Sequence, residues 1–495
     1  MKQPKITKAR KALVAAALLL GMTGWSATGS TARAQTHASP DSTLTLSQAI
    51  QVALANNHQI KRSLLSLEDA DEQVRMAWSE VLPDISGSAS YSRNIELPVF
   101  FFPQDPSDPN SPLRAIQAGE DNNWNAGLSV EQTLFRGEAF VGIGTSQLYK
   151  EAQAEGVRAT TQQIVTDTRL AYYDVLIAEE RLRLQHETVS RLRENLRENR
   201  ARREAGLVDS YQVLQVEVQL GNQEPQLTQA RYEVRQAYRR LKMVLGVPLD
   251  LSLSVTGDLG SYTIRSDQAG TAENRHLKEV DTITPYRYQG GGMEREAVTD
   301  MRGDIRVLET QNDLKGKEIR AIKSRFLPSL TARYNLGWRA EEPGSPTFFG
   351  KDRNRVRTQS LMLSLSVPIF EGFGRMASLN MARIEKRDLE IQREQVIRQA
   401  TSEIQSARES LDQAIETAPA RRKALDQARE GYQRATARLE NGLGSQLDVI
   451  EAEFQLRQAE VNYASMVYRY LTAKARYDLA LGMVPYVDSE APERE

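Results

Sequence analysis

The residues best suited to chemistry in this chain are two carboxylates, Asp448 and Glu451, in the segment GSQLDVIEAE. If this segment is helical, a spacing of three residues places both side chains on one face of the helix. A carboxylate pair held in a confined space would favour cations over anions. An ordinary solvated helix face has the same pattern, so the pair alone does not decide between the two interpretations.

No catalytic, metal-binding or cofactor-binding site is predicted elsewhere. The chain has no cysteine, and it contains no HExxH, GxSxG or glycine-rich phosphate-binding motif. Its histidines are scattered without the spacing of metal ligands, at His37, His58, His186 and His276. We therefore predict that the protein is not an enzyme.

Residues 1–34 are predicted to be a cleaved export signal. A basic start, MKQPKITKARK, is followed by the short apolar run ALVAAALLLGM and by an A-x-A site at Ala32-Arg33-Ala34. An uncleaved membrane anchor is the alternative, although the apolar run is short for a bilayer span. Without cysteine, no cysteine-linked lipid anchor is expected. Removing the six basic residues of this segment changes the formal net charge from −1 to −7, which argues against nucleic acid as a partner.

The rest of the chain is an internal tandem duplication. Residues 202–220 read RREAGLVDSYQVLQVEVQL, and residues 438–456 read RLENGLGSQLDVIEAEFQL. Such self-similarity predicts one structural unit used twice. The predicted divisions are repeat 1 at 35–249, a linker or equatorial region at 250–300, repeat 2 at 301–483 and an acidic tail at 484–495.

Each repeat contains two segments of about 10 residues in which apolar and polar side chains alternate, the length of a tilted transmembrane β-strand. These strand pairs lie at about 84–134 and 329–369, and residues 97–123 are expected to form a Pro-rich loop. After the signal, no apolar stretch is long enough for a transmembrane helix, so a membrane role would fall to the strands. Half-buried strands of a soluble sheet remain the alternative. The predicted membrane-interface aromatic residues are Tyr91, Trp124, Tyr334 and Trp338.

The remaining long segments carry heptad patterns of apolar residues, which predict two long helical hairpins at about 147–246 and 376–482. Gly206 and Gly442 separate the two helices of each hairpin, where a positive φ lets the chain reverse. Pro225 and Pro419 interrupt helix interiors and are expected to kink or break them. Four strands cannot close a barrel, so a membrane barrel would require several copies of the chain.

This order of elements, with Leu134-Phe135-Arg136-Gly137 after the strands and Gly-Leu at both hairpin tips, resembles the TolC family of outer-membrane efflux proteins. The resemblance implies a mainly α fold with membrane β-strands, in which long antiparallel coiled-coil helices form a periplasmic α-barrel. Four strands per chain would contribute to a trimeric 12-stranded β-barrel in the outer membrane. It also implies contact with outer-membrane lipid, a periplasmic adaptor protein and an inner-membrane pump of the RND or ABC type. The matching adaptor-docking residues are Ala205, Gly206, Leu207, Asn441, Gly442 and Leu443.

The resemblance further implies that Asp448 and Glu451 form two stacked rings at the periplasmic gate of a homotrimer. The equivalent residues of repeat 1 are Gln212 and Gln215, so only one repeat would supply the charges. Mutual repulsion within the rings would raise some of their pKa values. The implied function is export of small molecules or polypeptides through a tripartite efflux or type I secretion system. The alternative is a non-conducting periplasmic coiled-coil scaffold or adaptor.

Overall fold

The computed structural model describes residues 42–104, 111–257, 259, 301–346 and 354–484. The predicted signal, most of the predicted linker and almost all of the acidic tail lie outside these ranges. The helices are α1 (Leu46–Asn56), α2 (His58–Ser79), α3 (Gly137–Glu204), α4 (Ser210–Leu245), α5 (Gly303–Ser324), α6 (Gly374–Glu440) and α7 (Gln446–Ala480). The strands are β1 (Ser42–Leu44), β2 (Asp84–Arg93), β3 (Val99–Pro103), β4 (Leu113–Gln117), β5 (Asn122–Phe135), β6 (Leu253–Val255), β7 (Ser329–Glu342) and β8 (Asn354–Ser366).

Two very long helices dominate the structure. Helix α3 has 68 residues and α6 has 67, so each is about 100 Å long at about 1.5 Å per residue. Each is followed by a shorter antiparallel partner, α4 or α7, of 36 and 35 residues. Helix α3 begins at Gly137, earlier than the predicted start at 147, because it follows β5 after a single residue.

The helices α4 and α6 are continuous across Pro225 and Pro419, so neither proline breaks its helix, and the predicted kink at each stays a prediction. Proline removes one backbone donor, a cost of about 3 kcal/mol that packing along a long helix can offset. Next to Pro419, Ala418 and Leu425 are buried in the main hydrophobic core, which holds α6 in its helical path. Among the described residues, no helix combines the length and apolarity needed to cross a bilayer.

Four strands form one antiparallel sheet in the order β2-β5-β7-β8. Strand β5 of the first repeat pairs with β7 of the second, so the central pairing joins the two repeats. Strands β2 and β8 are the edges, and within the described part of the chain neither has a second partner. The predicted loop at 97–123 contains the additional hairpin β3–β4, so the prediction that this whole segment is a loop is wrong.

The main core lies where α1 meets the middle of the two long hairpins. There Tyr172 of α3 donates its hydroxyl to the carbonyls of Leu44 and Thr256 at 3.0 and 2.6 Å, which ties down the small parallel pair β1–β6. Beside it, Arg169 is 1% exposed and donates to Asp478 of α7 at 2.8 Å. Burial disfavours the charged guanidinium, but Asp478 and Tyr173 outweigh it, so the pKa of Arg169 is raised. This buried pair joins the two repeats.

The duplication is visible in the backbone of both hairpin ends. Gly246 and Gly482 each follow the second helix of a hairpin with φ of 69° and 72°. A Cβ on Gly482 would lie 2.5 Å from the backbone of Met301, and one on Gly246 would lie 2.5 Å from the carbonyl oxygen of Asn56. Both glycines therefore supply a left-handed turn and a close backbone approach.

Gly482→Ala should destabilise the protein more than Gly442→Ala. Both glycines have φ near 72°, where alanine costs roughly 1–2 kcal/mol. Only Gly482 also faces a backbone clash, which adds about 1–3 kcal/mol, whereas nothing lies within 4 Å of a Cβ on Gly442. Thermal unfolding followed by circular dichroism would measure the difference, and equal losses in the two variants would contradict the packing at Gly482.

Candidate functional site

The register of the main sheet collects the alternating residues onto two contrasting faces. Residues directly opposite each other on antiparallel strands share a face. One face is apolar and comprises Ile85, Ala89, Tyr91, Trp124, Ala126, Leu128, Val130, Ala332, Tyr334, Leu336, Trp338, Leu361, Leu363 and Leu365. This face is uncovered in the single chain, as the 72% exposure of Leu361 shows. An apolar area of this extent requires an apolar environment.

The opposite face is polar, with Val356 and Met362 as apolar exceptions. Its members include Ser86, Ser88, Ser90, Ser92, Asn123, Asn125, Ser129, Glu131, Thr331, Arg333, Asn335, Arg339, Thr358, Ser360 and Ser364. Ser129 donates to Asn335 at 2.9 Å, and Arg333 pairs with Glu131 at 2.5 Å. One wall thus separates an apolar side from a hydrogen-bonding side suited to water.

Three of the four predicted interface aromatic residues cluster at one end of the sheet, where the chain passes from β2 towards β5 and from β7 to β8. Tyr91 lies opposite Trp124 with ring centroids 4.3 Å apart, and its hydroxyl donates to Asn122 at 2.8 Å. Trp338 lies one step deeper, opposite Ala126. Tyr334 is four residues further along β7, between Val130 and Leu361, and is therefore at mid-height of the apolar face. The interface role of these residues remains a prediction.

The other end of the sheet carries aromatic residues that the sequence analysis missed. Their exposed rings pair as Phe135–Phe140 at 6.0 Å and Phe370–Phe373 at 5.4 Å, measured between centroids. Phe135 and Phe370 belong to the repeated Leu-Phe-Arg-Gly and Ile-Phe-Glu-Gly motifs, which end the strand segments of each repeat. An aromatic residue repeated at the end of both strand pairs could have predicted a second ring of aromatic residues at the other lipid–water interface.

Both hairpin tips have the same backbone geometry. Gly206 and Gly442 each have φ of 73°, and each follows the C-cap residue of a long helix, Ala205 after α3 or Asn441 after α6. The next residues, Leu207 and Leu443, donate back to Arg202 and Arg438 at 2.8 Å. These bonds satisfy helix-terminal carbonyls in a Schellman motif. They leave Leu207 and Leu443 pointing outward, 75% and 72% exposed.

The two tips lie side by side. Gln446 at the start of α7 donates to Asn195 of α3 at 2.9 Å. Leu196, Val213 and Val216 of the first hairpin form a small buried cluster against which Ile450 of the second hairpin packs. The six predicted tip residues therefore occupy two neighbouring copies of one turn, and their docking role stays a prediction.

The predicted carboxylates, Asp448 and Glu451, both lie on the exposed side of α7, whereas the intervening Val449 is buried. Asp448 also caps this helix: it accepts from the backbone N–H of Ser445 at 2.9 Å, and its own N–H donates to the Ser445 hydroxyl at 3.2 Å. Glu451 accepts from Gln455 at 2.9 Å. Asp448 is thus a structural residue as well as a candidate gate residue, and the S-x-x-D spacing could have indicated this.

The predicted rise in some carboxylate pKa values depends on repulsion between copies of the chain and stays a prediction, whereas the contacts within one protomer act on Asp448 in the opposite direction. The bonds from the Ser445 backbone and side chain, with a smaller contribution from Arg438, lower the pKa of Asp448. At pH values above the ordinary aspartate pKa, the charge of Asp448 therefore stabilises the start of α7. This stabilisation is lost as the pH falls through the lowered pKa of Asp448. Local capping explains the difference, because no copy-to-copy repulsion acts within a single chain.

A buried charge cluster just above the tips was missed entirely. Glu453 of α7 is 4% exposed and accepts from Arg191 of α3 at 3.0 Å. Arg457 lies 3.8 Å from the same carboxylate, and burial lowers the pKa of Arg457 while it raises that of Glu460. The heptad pattern did not reveal these residues, because a charged side chain at a buried position interrupts it. The cluster joins the two hairpins across the repeat boundary.

Comparisons with known proteins agree with this architecture. The family model described as "Outer membrane efflux protein" matches residues 49–247 and 298–483. The outer membrane efflux protein BepC of Brucella suis is 25% identical over 95% of this chain and 91% of its own length. The alkaline protease secretion protein AprF of Pseudomonas aeruginosa is 23% identical over 73% of this chain and 70% of its length.

The fold is also that of a solved channel. The Campylobacter jejuni CmeC outer membrane channel superimposes with a TM-score of 0.68 at 18% identity, covering 89% of this chain and 86% of CmeC. The fold class predicted from the sequence is thereby confirmed, and so is the resemblance on which it partly rested. The family match spans most of the chain and includes both strand pairs and both helical hairpins. The chain therefore belongs to the outer membrane efflux protein family.

Proposed function

We propose that three copies of this chain form a channel in the bacterial outer membrane that continues through the periplasm as a helical tunnel. The observation that carries the proposal is the four-stranded sheet, which has one apolar face and two unpaired edges. Three copies would supply twelve strands and enclose a lumen. Two copies would supply about eight, whose interior is filled by side chains.

The proposed cargo is a small molecule or a polypeptide. Among the relatives, BepC is named as an efflux protein and AprF as a protease secretion protein, and these names support a small molecule and a polypeptide, respectively, as candidate cargo. The polar face of the sheet, lined by serine, asparagine and paired charges, supports a water-filled passage. The family is one of transport channels, and the energy for export would come from a partner.

The proposed partners are a periplasmic adaptor protein at the hairpin tips and an inner-membrane pump of the RND or ABC type. The protein would reach the outer membrane through cleavage of the signal at 1–34, without a lipid anchor. A non-conducting scaffold, the alternative considered from sequence, is not favoured, because it leaves the apolar face of the sheet without an environment. Discrete conductance steps of the purified protein in planar bilayers would support the channel, and an inactive protein of intact fold would exclude it.

The double variant Asp448→Asn, Glu451→Gln should weaken block of the channel current by polyvalent cations. If the carboxylates form rings in the trimer, six charges are lost and the half-blocking concentration should rise roughly tenfold. Single-channel recording with a trivalent cation on the periplasmic side measures this.

Ser445→Ala is the matched control, because it removes half of the same helix cap and leaves both carboxylates in place. It should leave the block unchanged. Equal block in the double variant and the natural protein would show that these carboxylates do not line the constriction.

Replacing both exposed tip leucines, Leu207→Ser with Leu443→Ser, should weaken capture of the adaptor roughly tenfold or more, the effect typical of central apolar anchors. Both side chains are largely exposed, so the fold should be retained. Leu249→Ser removes a similarly exposed leucine away from the tips and serves as the control. Co-purification with the adaptor encoded for the same system would test this, and undiminished capture by the double variant would place the contact elsewhere.

A further inference from the structure

Two arginines of β8 lie on the apolar face of the sheet. Arg357 is directly opposite Trp338, and Arg355 is opposite Ala340. On the same face, β8 continues with Gln359 and then with Leu361, Leu363 and Leu365. The strand therefore changes from leucine to arginine along a single face, and both arginines are exposed.

The height of Arg357 on the sheet is fixed by its neighbours. It lies eight residues from Leu365, about 27 Å along the strand, which corresponds to about 20 Å of height for a strand tilted by about 40° and places it near the upper limit of an apolar band about 25 Å tall. Its directly opposite neighbour Trp338 and the adjacent Trp124 are residues of the lipid–water boundary. The long helices leave the sheet at the opposite end, so this boundary is the extracellular one in the proposed channel.

Within the described part of the chain, Arg357 forms no ion pair. When the side-chain amide of Gln359 is turned so that its oxygen faces Arg357, the Nε–H of Arg357 donates to that oxygen at 3.2 Å. This acceptor is neutral, so the bond does not compensate the charge of Arg357. Arg339 of β7 differs in this respect. It lies opposite Val356, the residue before Arg357, on the polar face of the sheet, and it forms an ion pair with Glu341 at 2.7 Å. The lipid-side cation thus lacks the carboxylate that its water-side counterpart has.

The other edge strand supplies a further positive charge at the same end. Arg93 of β2 lies on the apolar face, one step beyond Tyr91, with Asn122 opposite and Glu342 in the same row. If identical chains close the barrel by pairing β8 with β2 of the next copy, arginines from both edges meet at each seam.

We propose that Arg357, together with Arg355, binds the phosphate of an anionic, phosphate-bearing lipid headgroup in the outer leaflet. The guanidinium offers paired N–H donors that match phosphate oxygens and holds them with a charge-assisted bond. Its aliphatic stem and Trp338 lie against the lipid chain, and its charged end reaches the headgroup. This inference rests on the proposed function, because it requires the apolar face to be in the membrane.

The test measures retention of a phosphorylated glycolipid by the purified oligomer in detergent, using native mass spectrometry. The probe is bisphosphorylated lipid A, with its dephosphorylated form and inorganic phosphate as separate arms. The natural protein should retain the phosphorylated lipid at least roughly tenfold better than the double variant Arg355→Gln, Arg357→Gln. Arg339→Gln removes an arginine at the same height on the polar face and should retain the lipid as the natural protein does.

Equal retention by all three proteins, or equal retention of the dephosphorylated lipid, would overturn the proposal. Displacement of the lipid by millimolar inorganic phosphate would assign the site to free phosphate instead of a headgroup and would also overturn it. Bilayer conductance of the double variant should remain normal. A natural protein that fails to conduct would count against the proposed channel, whereas a conducting protein with no arginine-dependent lipid binding would count against this site alone.

Discussion

An unpaired sheet edge cannot face hydrocarbon, and this constraint governs the whole structure. Each backbone N–H or C=O left unsatisfied in lipid costs several kcal/mol. Strands β2 and β8, of 10 and 13 residues, each present such an edge. The chain cannot close its own sheet with four strands, so it depends on identical copies. The polar face of the sheet, the aromatic ends and the edge arginines acquire a role only when the edges are paired.

The duplication lets one short chain build both a wall and a tunnel. Each repeat leaves the sheet through a short connection, so α3 starts directly after β5 and α6 follows β8 within a few residues. The direction of each long helix is therefore fixed by a strand. Cross-repeat contacts hold the halves together at successive heights, including β5 with β7 in the sheet, Arg169 with Asp478 in the core, and Arg191 with Glu453 above the tips. Both ion pairs have a buried carboxylate, and a pair with a buried charge tolerates loss of its partner poorly.

Much of this architecture could be predicted from sequence because its signals are periodic. Alternation in the segments around Tyr91 and Tyr334 identified the strands, and Gly206 and Gly442 identified the turns. The failures came where a local or long-range contact overrides a pattern. The cap that Asp448 forms with Ser445 was not predicted, although it lowers the pKa of Asp448 within one protomer, and core packing keeps α6 helical across Pro419. The partner of Arg191 lies in the other repeat, far away in sequence, and no periodic signal connects them.

The number of chains in the detergent-extracted particle tests the central claim most directly. Native mass spectrometry of the protein extracted from outer membranes would measure it without assuming a function. Closure of open sheets by identical copies predicts a particle of three chains and no stable monomer. A folded single chain that remains in the aqueous fraction without detergent would contradict the account.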